Sequence, residues 1–217
     1  MIVKTEKSEL EDYLRDASNI PGGDADRLIV PESAEEVSEA VRSSTGPITV
    51  SGARTGTVGG AVPFGGTIIS LEKLNTIGEI DKESLSVTAG AGVLLSDLQK
   101  AVETEELYYP PDPTEWSCQI GGTVATNASG ARSFKYGATR DFVERVEVVL
   151  PNGDNLTVRR GEKFSSDGFI SFETSSGKRI KVKMPTYSRP VVRKDVSGYF
   201  NGKNVDLIDL FIGSEGT

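Results

Sequence analysis

Four of the ten residues from Ser51 to Gly60 are glycine, and the run follows directly on Ile48-Thr49-Val50, which reads as a strand. Glycine has no Cβ and accepts positive φ, so a strand that ends in such a loop can bring backbone N–H groups close to a phosphate. The common phosphate fingerprints do not fit. Gly90-Ala91-Gly92 is followed by Val93, Leu94 and Leu95, and no glycine loop ends in Lys-Ser or Lys-Thr, which excludes the Rossmann and P-loop readings. On its residues alone the loop is either a pyrophosphate site or a tight connection. A second small-residue run, Ile120-Gly-Gly-Thr-Val-Ala-Thr-Asn-Ala-Ser-Gly130, has two readings as well. Either backbone at Gly121 and Gly122 lies against a flat ring while Thr126 and Asn127 bond a polar ring edge or a phosphate, or the run is a closely packed helix. Two such clusters in separate parts of the chain imply something extended lying between them.

Composition removes whole reaction classes. There is no His, which excludes a Ser-His-Asp or Cys-His nucleophile and a His-ligated zinc. The single Cys, Cys118, excludes an intramolecular disulfide and a Cys-rich metal site, reads as a packing residue, and fits a reducing compartment. No metal site is expected. With 24 Lys+Arg against 32 Asp+Glu the net charge is −8, which offers no general attraction for nucleic acid or an anionic membrane. The N-terminus is charged at once and no run approaches the ~18 apolar residues of a membrane span. These features predict a soluble, cytoplasmic chain.

Periodicity predicts a short helix over Ser8 to Leu14 and a buried strand at Arg27 to Val30. A helix capped by Ser33 and Glu36 follows, then strands at Ile48 to Val50 and Thr67 to Ser70. A second unit is expected to open at Leu85 to Ala89 after a polar seam near Asp81 to Ser84, with a helix capped by Ser96 and Gln99. Asn152-Gly153 predicts a hairpin between Val143 to Leu150 and Leu156 to Val158, and Ser176-Gly177 predicts a second one. The N-terminal third thus reads as α/β and the remainder as largely antiparallel.

Six co-linear segments carry a family resemblance: Ser51 to Pro63, Tyr109 to Pro113, Ile120 to Asn127, Lys135-Tyr136-Gly137, Arg140-Asp141 and Phe211 to Thr217. From about Pro31 to Thr217 the chain resembles the FAD-binding domain of FAD-linked oxidases. These are the vanillyl-alcohol oxidase and p-cresol methylhydroxylase (PCMH) type, in particular the branch of the glycolate oxidase D-subunit and D-lactate dehydrogenase. The resemblance implies an α+β fold of two subdomains, a small N-terminal α/β piece (about 1–82) and a larger antiparallel piece (about 83–217), with FAD between them. It implies noncovalent FAD, since no His is available for linkage. It places Gly52, Ala53, Arg54, Thr55, Gly56, Thr57, Gly59 and Gly60 at the pyrophosphate, and Asp112, Pro113 and Thr114 beside the cofactor. Gly121, Gly122, Thr126 and Asn127 fall near the flavin and ribityl chain, and Tyr136 and Gly137 on a further cofactor-side motif. Arg54 departs from the family, which more often has glycine there.

The implied activity is oxidation of a 2-hydroxy acid by hydride transfer to flavin N5. In the family the base and any metal come largely from a C-terminal substrate domain that is expected to be absent here, so no catalytic residue is assigned; Tyr199 reads as packing. The alternative is a noncatalytic FAD-binding or subunit-interaction module working with partner oxidoreductase subunits. A likeness to the UDP-N-acetylenolpyruvoylglucosamine reductases fits the Pro-Asp-Pro and Tyr-Gly motifs less well.

Overall fold

The chain begins with β1 (Ile2–Lys4), α1 (Lys7–Leu10) and a 3-10 turn (Glu11–Tyr13). The structure, a computed structural model, describes residues 1–192 and 194–217, and the chain divides into two units. The first comprises Met1–Tyr109 and Glu115–Gly122, and the second Pro110–Thr114 and Thr123–Thr217.

In the first unit β2 (Arg27–Val30), α2 (Ala34–Ser43), β3 (Ile48–Ser51) and β4 (Thr67–Ser70) build, with β1, a four-stranded sheet of order β1-β2-β4-β3. β4 runs parallel to both β2 and β3, while β1 is antiparallel to β2. Leu28, Val30 and Ile68 pack with Leu10 on one face, and Ile29 and Ile69 pack with Ala40 of α2 on the other. A strand covered on both faces needs an unbroken apolar run, which is why β2 and β4 stand out in the sequence. Ser33 Oγ accepts from Glu36 N as expected of the cap, but Glu36 reaches back to the backbone N–H of Glu32 and pairs with the N-terminal amine.

Next come the antiparallel hairpin β5 (Ile77–Asp81) and β6 (Ser86–Ala89), then α3 (Leu95–Thr104), whose Leu98 and Val102 pack on the hairpin with Val93. The polar stretch Asp81 to Ser84 is therefore the turn of a hairpin rather than a seam, and β5, β6 and α3 belong to the first unit. The cap predicted at Ser96 does not form. Helix α3 starts at Leu95 after Leu94, and the N–H groups of Leu95 and Ser96 donate to the carbonyls of Cys118 and Trp116. Backbone oxygens from a distant segment do the work of a cap.

Within α4 (Ile120–Ala125) the chain passes into the second unit, which continues with α5 (Ser133–Tyr136) and a 3-10 turn (Thr139–Phe142). Two hairpins follow, β7 (Arg145–Val149) with β8 (Asn155–Arg159) and β9 (Phe169–Glu173) with β10 (Arg179–Lys183), then α6 (Ile208–Phe211). Gly153 and Gly177 take positive φ in the turns, as the sequence anticipates. The inward residues of both hairpins form one core with Val205, Leu207, Ile208 and Ile212, and Phe172 meets Phe211 edge to face at 6.4 Å between ring centres. The basic stripe Arg179, Lys181 and Lys183 lies on the exposed face of β10.

A buried ion pair holds this unit together. Arg140 Nη1 donates to Asp209 Oδ1 (2.9 Å) and to the Asp209 carbonyl (2.8 Å), and Nη2 donates to the Ile212 carbonyl. Arg160 shares the same carboxylate at 3.3 Å. Replacing Asp209 with Ala leaves the Arg140 guanidinium buried without its counter-charge, a loss of about 3–5 kcal/mol. The expected outcome is a large drop in the urea midpoint of unfolding without loss of soluble secondary structure in buffer.

Candidate functional site

The glycine loop starts where β3 ends. Ser51 is fully buried and pairs in register with Ser70, and the chain then turns out into Gly52 to Gly60, which are half-buried to exposed. Among the described residues no backbone N–H from Ala53 to Gly60 donates to a protein acceptor. A run of unpaired amides on small residues is what an anion requires. No heavy atom lies within 4 Å of where a Cβ would stand on Gly56 or Gly60, so a ligand can reach that backbone. The end of the loop is anchored by Asp16, whose carboxylate accepts from Ser18 N, Ser18 Oγ and Ala61 N. Burial opposes its charged form, but these hydrogen bonds outweigh burial and hold the carboxyl below its usual range.

Arg54 occupies a left-handed position (φ 59°), the conformation glycine adopts most easily. Its guanidinium folds back on the loop: Nη1 donates to Ser51 Oγ (3.3 Å) and the Gly52 carbonyl (3.2 Å), and the group stacks on Tyr13 at 4.5 Å. Tyr13 OH donates in turn to Glu72. The charge thus stays at the root of the loop in a built arrangement.

The second glycine cluster joins the first within this unit. Gln119, immediately before α4, lies against Gly52, its Oε1 3.2 Å from the site of a Cβ. A Cβ on Gly121 would meet Ala91 at 2.7 Å, while Gly122 is open. Gly121 is thus closely packed, as one of the two readings has it, while Gly122 is exposed. Gln119 is a residue that sequence reasoning missed, since nothing in its type or spacing sets it apart.

The remaining predicted residues lie in the second unit. A Cβ on Gly130 would stand 1.6 Å from the Asp112 carbonyl, so the Asp112-Pro113-Thr114 segment and the end of the small-residue run are in direct backbone contact. Asp112 pairs with Arg132 at 3.3 Å. Thr126 is exposed, whereas Asn127 is buried at φ 46° and its Oδ1 accepts from Arg140 N. Glu215 N and Gly213 N donate to the carbonyls of Ala125 and Val124, which brings the C-terminal motif beside this run. Tyr136 is exposed with Lys135 over its ring, and Gly137 takes φ 101° close to the Asp141 carboxylate. A cavity of about 290 Å³ in this unit is lined by Asn127, Arg140, Arg189, Asp195 and Phe200, with both guanidiniums stacked on the Phe200 ring. Tyr199 OH bonds Thr217. Cys118 is buried, and burial pushes its thiol up to about 11, as it pushes Tyr109 to about 12.

A family model described as an FAD binding domain matches residues 25–159. The chain belongs to the FAD binding domain family. It is 44% identical over 164 residues to a D-lactate dehydrogenase of Anaerostipes hadrus, covering 73% of this chain and 34% of that protein. It is 36% identical to glycolate oxidase subunit GlcD of Bacillus subtilis (88% and 34% covered) and to a D-2-hydroxyglutarate dehydrogenase of Xanthomonas citri pv. viticola (77% and 36%). The chain spans about a third of the length of these relatives. Its fold matches 6-hydroxy-D-nicotine oxidase of Arthrobacter nicotinovorans (TM-score 0.68, 21% identity, 74% of this chain and 36% of that one). It also matches alkyldihydroxyacetonephosphate synthase (TM-score 0.70, 18% identity, 98% and 38%). The fold is the PCMH-type FAD-binding fold, and FAD is the family's cofactor. The unpaired loop amides and the open faces of Gly56 and Gly60 fit its pyrophosphate. Among the described residues no helix is long and apolar enough to cross a membrane.

Two outcomes follow. Because the Asp16 carboxyl is depressed, its contribution is present above the usual carboxylate range and is lost as pH falls through the folded value. Below about pH 4 the thermal midpoint of the wild type should fall more steeply than that of Asp16→Asn. Cys118 should resist iodoacetamide at pH 8 in the folded chain and react fully in denaturant.

Proposed function

We propose that this chain is the FAD-binding part of a flavin-dependent dehydrogenase that oxidises a 2-hydroxy acid of the glycolate or D-lactate kind. The observation that carries the cofactor half of this reading is the run of unpaired amides from Ala53 to Gly60. The substrate half rests on the names of the relatives, which act on D-lactate, glycolate and D-2-hydroxyglutarate.

Bound FAD would supply a two-electron acceptor for the hydride that leaves the substrate's hydroxyl-bearing carbon as the 2-oxo acid forms. The chain's own residues would bind and orient it. Gly52, Ala53, Arg54, Thr55, Gly56, Thr57, Gly59 and Gly60 would hold the pyrophosphate through backbone dipoles. On a chain of net charge −8 those dipoles offset the lack of long-range attraction for an anion. Arg54 adds a positive charge at the loop root, held in place by Ser51, Gly52 and Tyr13. Gly121, Gly122, Thr126 and Asn127 are the candidates for the flavin side, and Asp112, Pro113, Thr114, Tyr136 and Gly137 are further cofactor-side candidates. The attachment we propose is noncovalent: the chain has no His to link the flavin, and its one Cys, Cys118, is buried.

The second reading is a cofactor-carrying module of a multi-subunit oxidoreductase, favoured by the relative named as a subunit of glycolate oxidase. Either reading requires the flavin. The purified chain should show flavin absorption, alone or after FAD is added, and should release unmodified FAD on denaturation. Gly56→Asp, which puts a carboxylate in the open space on the loop, should cut FAD affinity by tenfold or more. Absence of flavin uptake by the wild type would sink the cofactor assignment.

A further inference from the structure

Two buried side-chain atoms in the described chain have no hydrogen-bond partner, Ser70 Oγ and Gln119 Oε1. Both sit at the root of the glycine loop. Ser70 lies opposite Ser51 in the parallel register of β3 and β4, and Gln119 Oε1 faces Gly52. Native folds leave few such atoms, and each calls for a physical reason. Gln119 is only 7% exposed, yet it also lines a cavity of about 330 Å³ with Glu72, Asn75 and Asp97, floored by Ile77, Val93 and Leu94. Two carboxylates and two amides make the polar wall rich in acceptors. Such a wall repels phosphate and suits a hydroxyl or amino donor. Glu72 is held in this wall by the Tyr13 hydroxyl.

We propose that Gln119 is a cofactor-binding residue whose amide oxygen accepts a hydrogen bond from a hydroxyl or amino group of the dinucleotide beside the glycine loop. The proposal rests on the FAD reading above. The amide oxygen lies against Gly52. The terminal torsion of Gln is broad, so a turn about it would let the oxygen meet a donor in the cavity that the side chain lines. The unpaired acceptor costs stability without ligand, and pairing it on binding recovers that cost. Stability and affinity are therefore coupled with opposite signs at this one position, which a packing role would not produce.

The test compares the wild-type chain with Gln119→Met, and with Gln119→Leu as a second apolar replacement. Thermal unfolding is measured without flavin, and FAD affinity by quenching of flavin fluorescence. The expected result is a midpoint raised by about 2–4 °C without flavin, together with a roughly tenfold loss of FAD affinity. Separate titrations with FMN and ADP locate the donor. A loss confined to FMN places it on the ribityl side, and a loss confined to ADP places it on the ribose or adenine. Unchanged FAD affinity in variants that fold overturns the proposal, as does equal loss for both halves with a lowered midpoint, which is general damage. If the wild type takes up no FAD, the cofactor reading itself fails and the proposal falls with it.

Discussion

The second unit depends on one carboxylate. Asp209 accepts from Arg140 and lies within reach of Arg160, while Arg140 extends the network to the carbonyl of Ile212 and its backbone N–H is held by Asn127. These groups come from the small-residue run, the 3-10 turn, the residue that follows β8, and α6 with the residue that follows it. Arg160 adds bonds to the carbonyls of Val143 and Arg140, so the same two guanidiniums tie the first hairpin to the C-terminal helix. Burial pulls the Arg140 guanidinium's affinity for its proton down, yet an arginine stays charged. The unit is therefore organised around an ion pair whose partners cannot be removed singly.

The first unit solves a different problem. On the proposed reading it holds an anion on a chain that is acidic overall, with backbone rather than with a cluster of lysines. One arginine stands at the loop, and its position is fixed from behind by Tyr13 and Glu72. The loop itself has no internal acceptors for its amides, so its shape is set at its ends, by Ser51 in the sheet and by Asp16 at Ala61.

Much of this was legible in the residues. β2 and β4 declare themselves because strands covered on both faces must be apolar throughout, and β7 with β8 because Asn152-Gly153 allows few alternatives to a turn. β5 was not legible: Gly78 and Glu79 interrupt its apolar pattern, since that hairpin is half exposed. The start of α3 was misread because its first amides are satisfied by carbonyls of Trp116 and Cys118, and local sequence carries no trace of a partner so far along the chain. The two glycine clusters were visible as chemistry with open alternatives, and only the fold shows that Gly121 is closely packed while Gly122 is not. Asn127 was expected at the cofactor, whereas the structure shows what its side chain does for the fold, holding Arg140. Gln119 was silent because an unpaired atom is a property of three-dimensional surroundings and of no residue type.

The segment that caps α3 also contains the chain's sole tryptophan. Trp116 is 64% exposed while its carbonyl is fixed by Ser96 N, three residues before Gln119. The indole is thus an intrinsic optical label on a rigid stem, with no second tryptophan to blur its signal. Its emission colour and lifetime report directly on the wetting and crowding of that segment, so this chain can be followed by spectroscopy without attaching a dye.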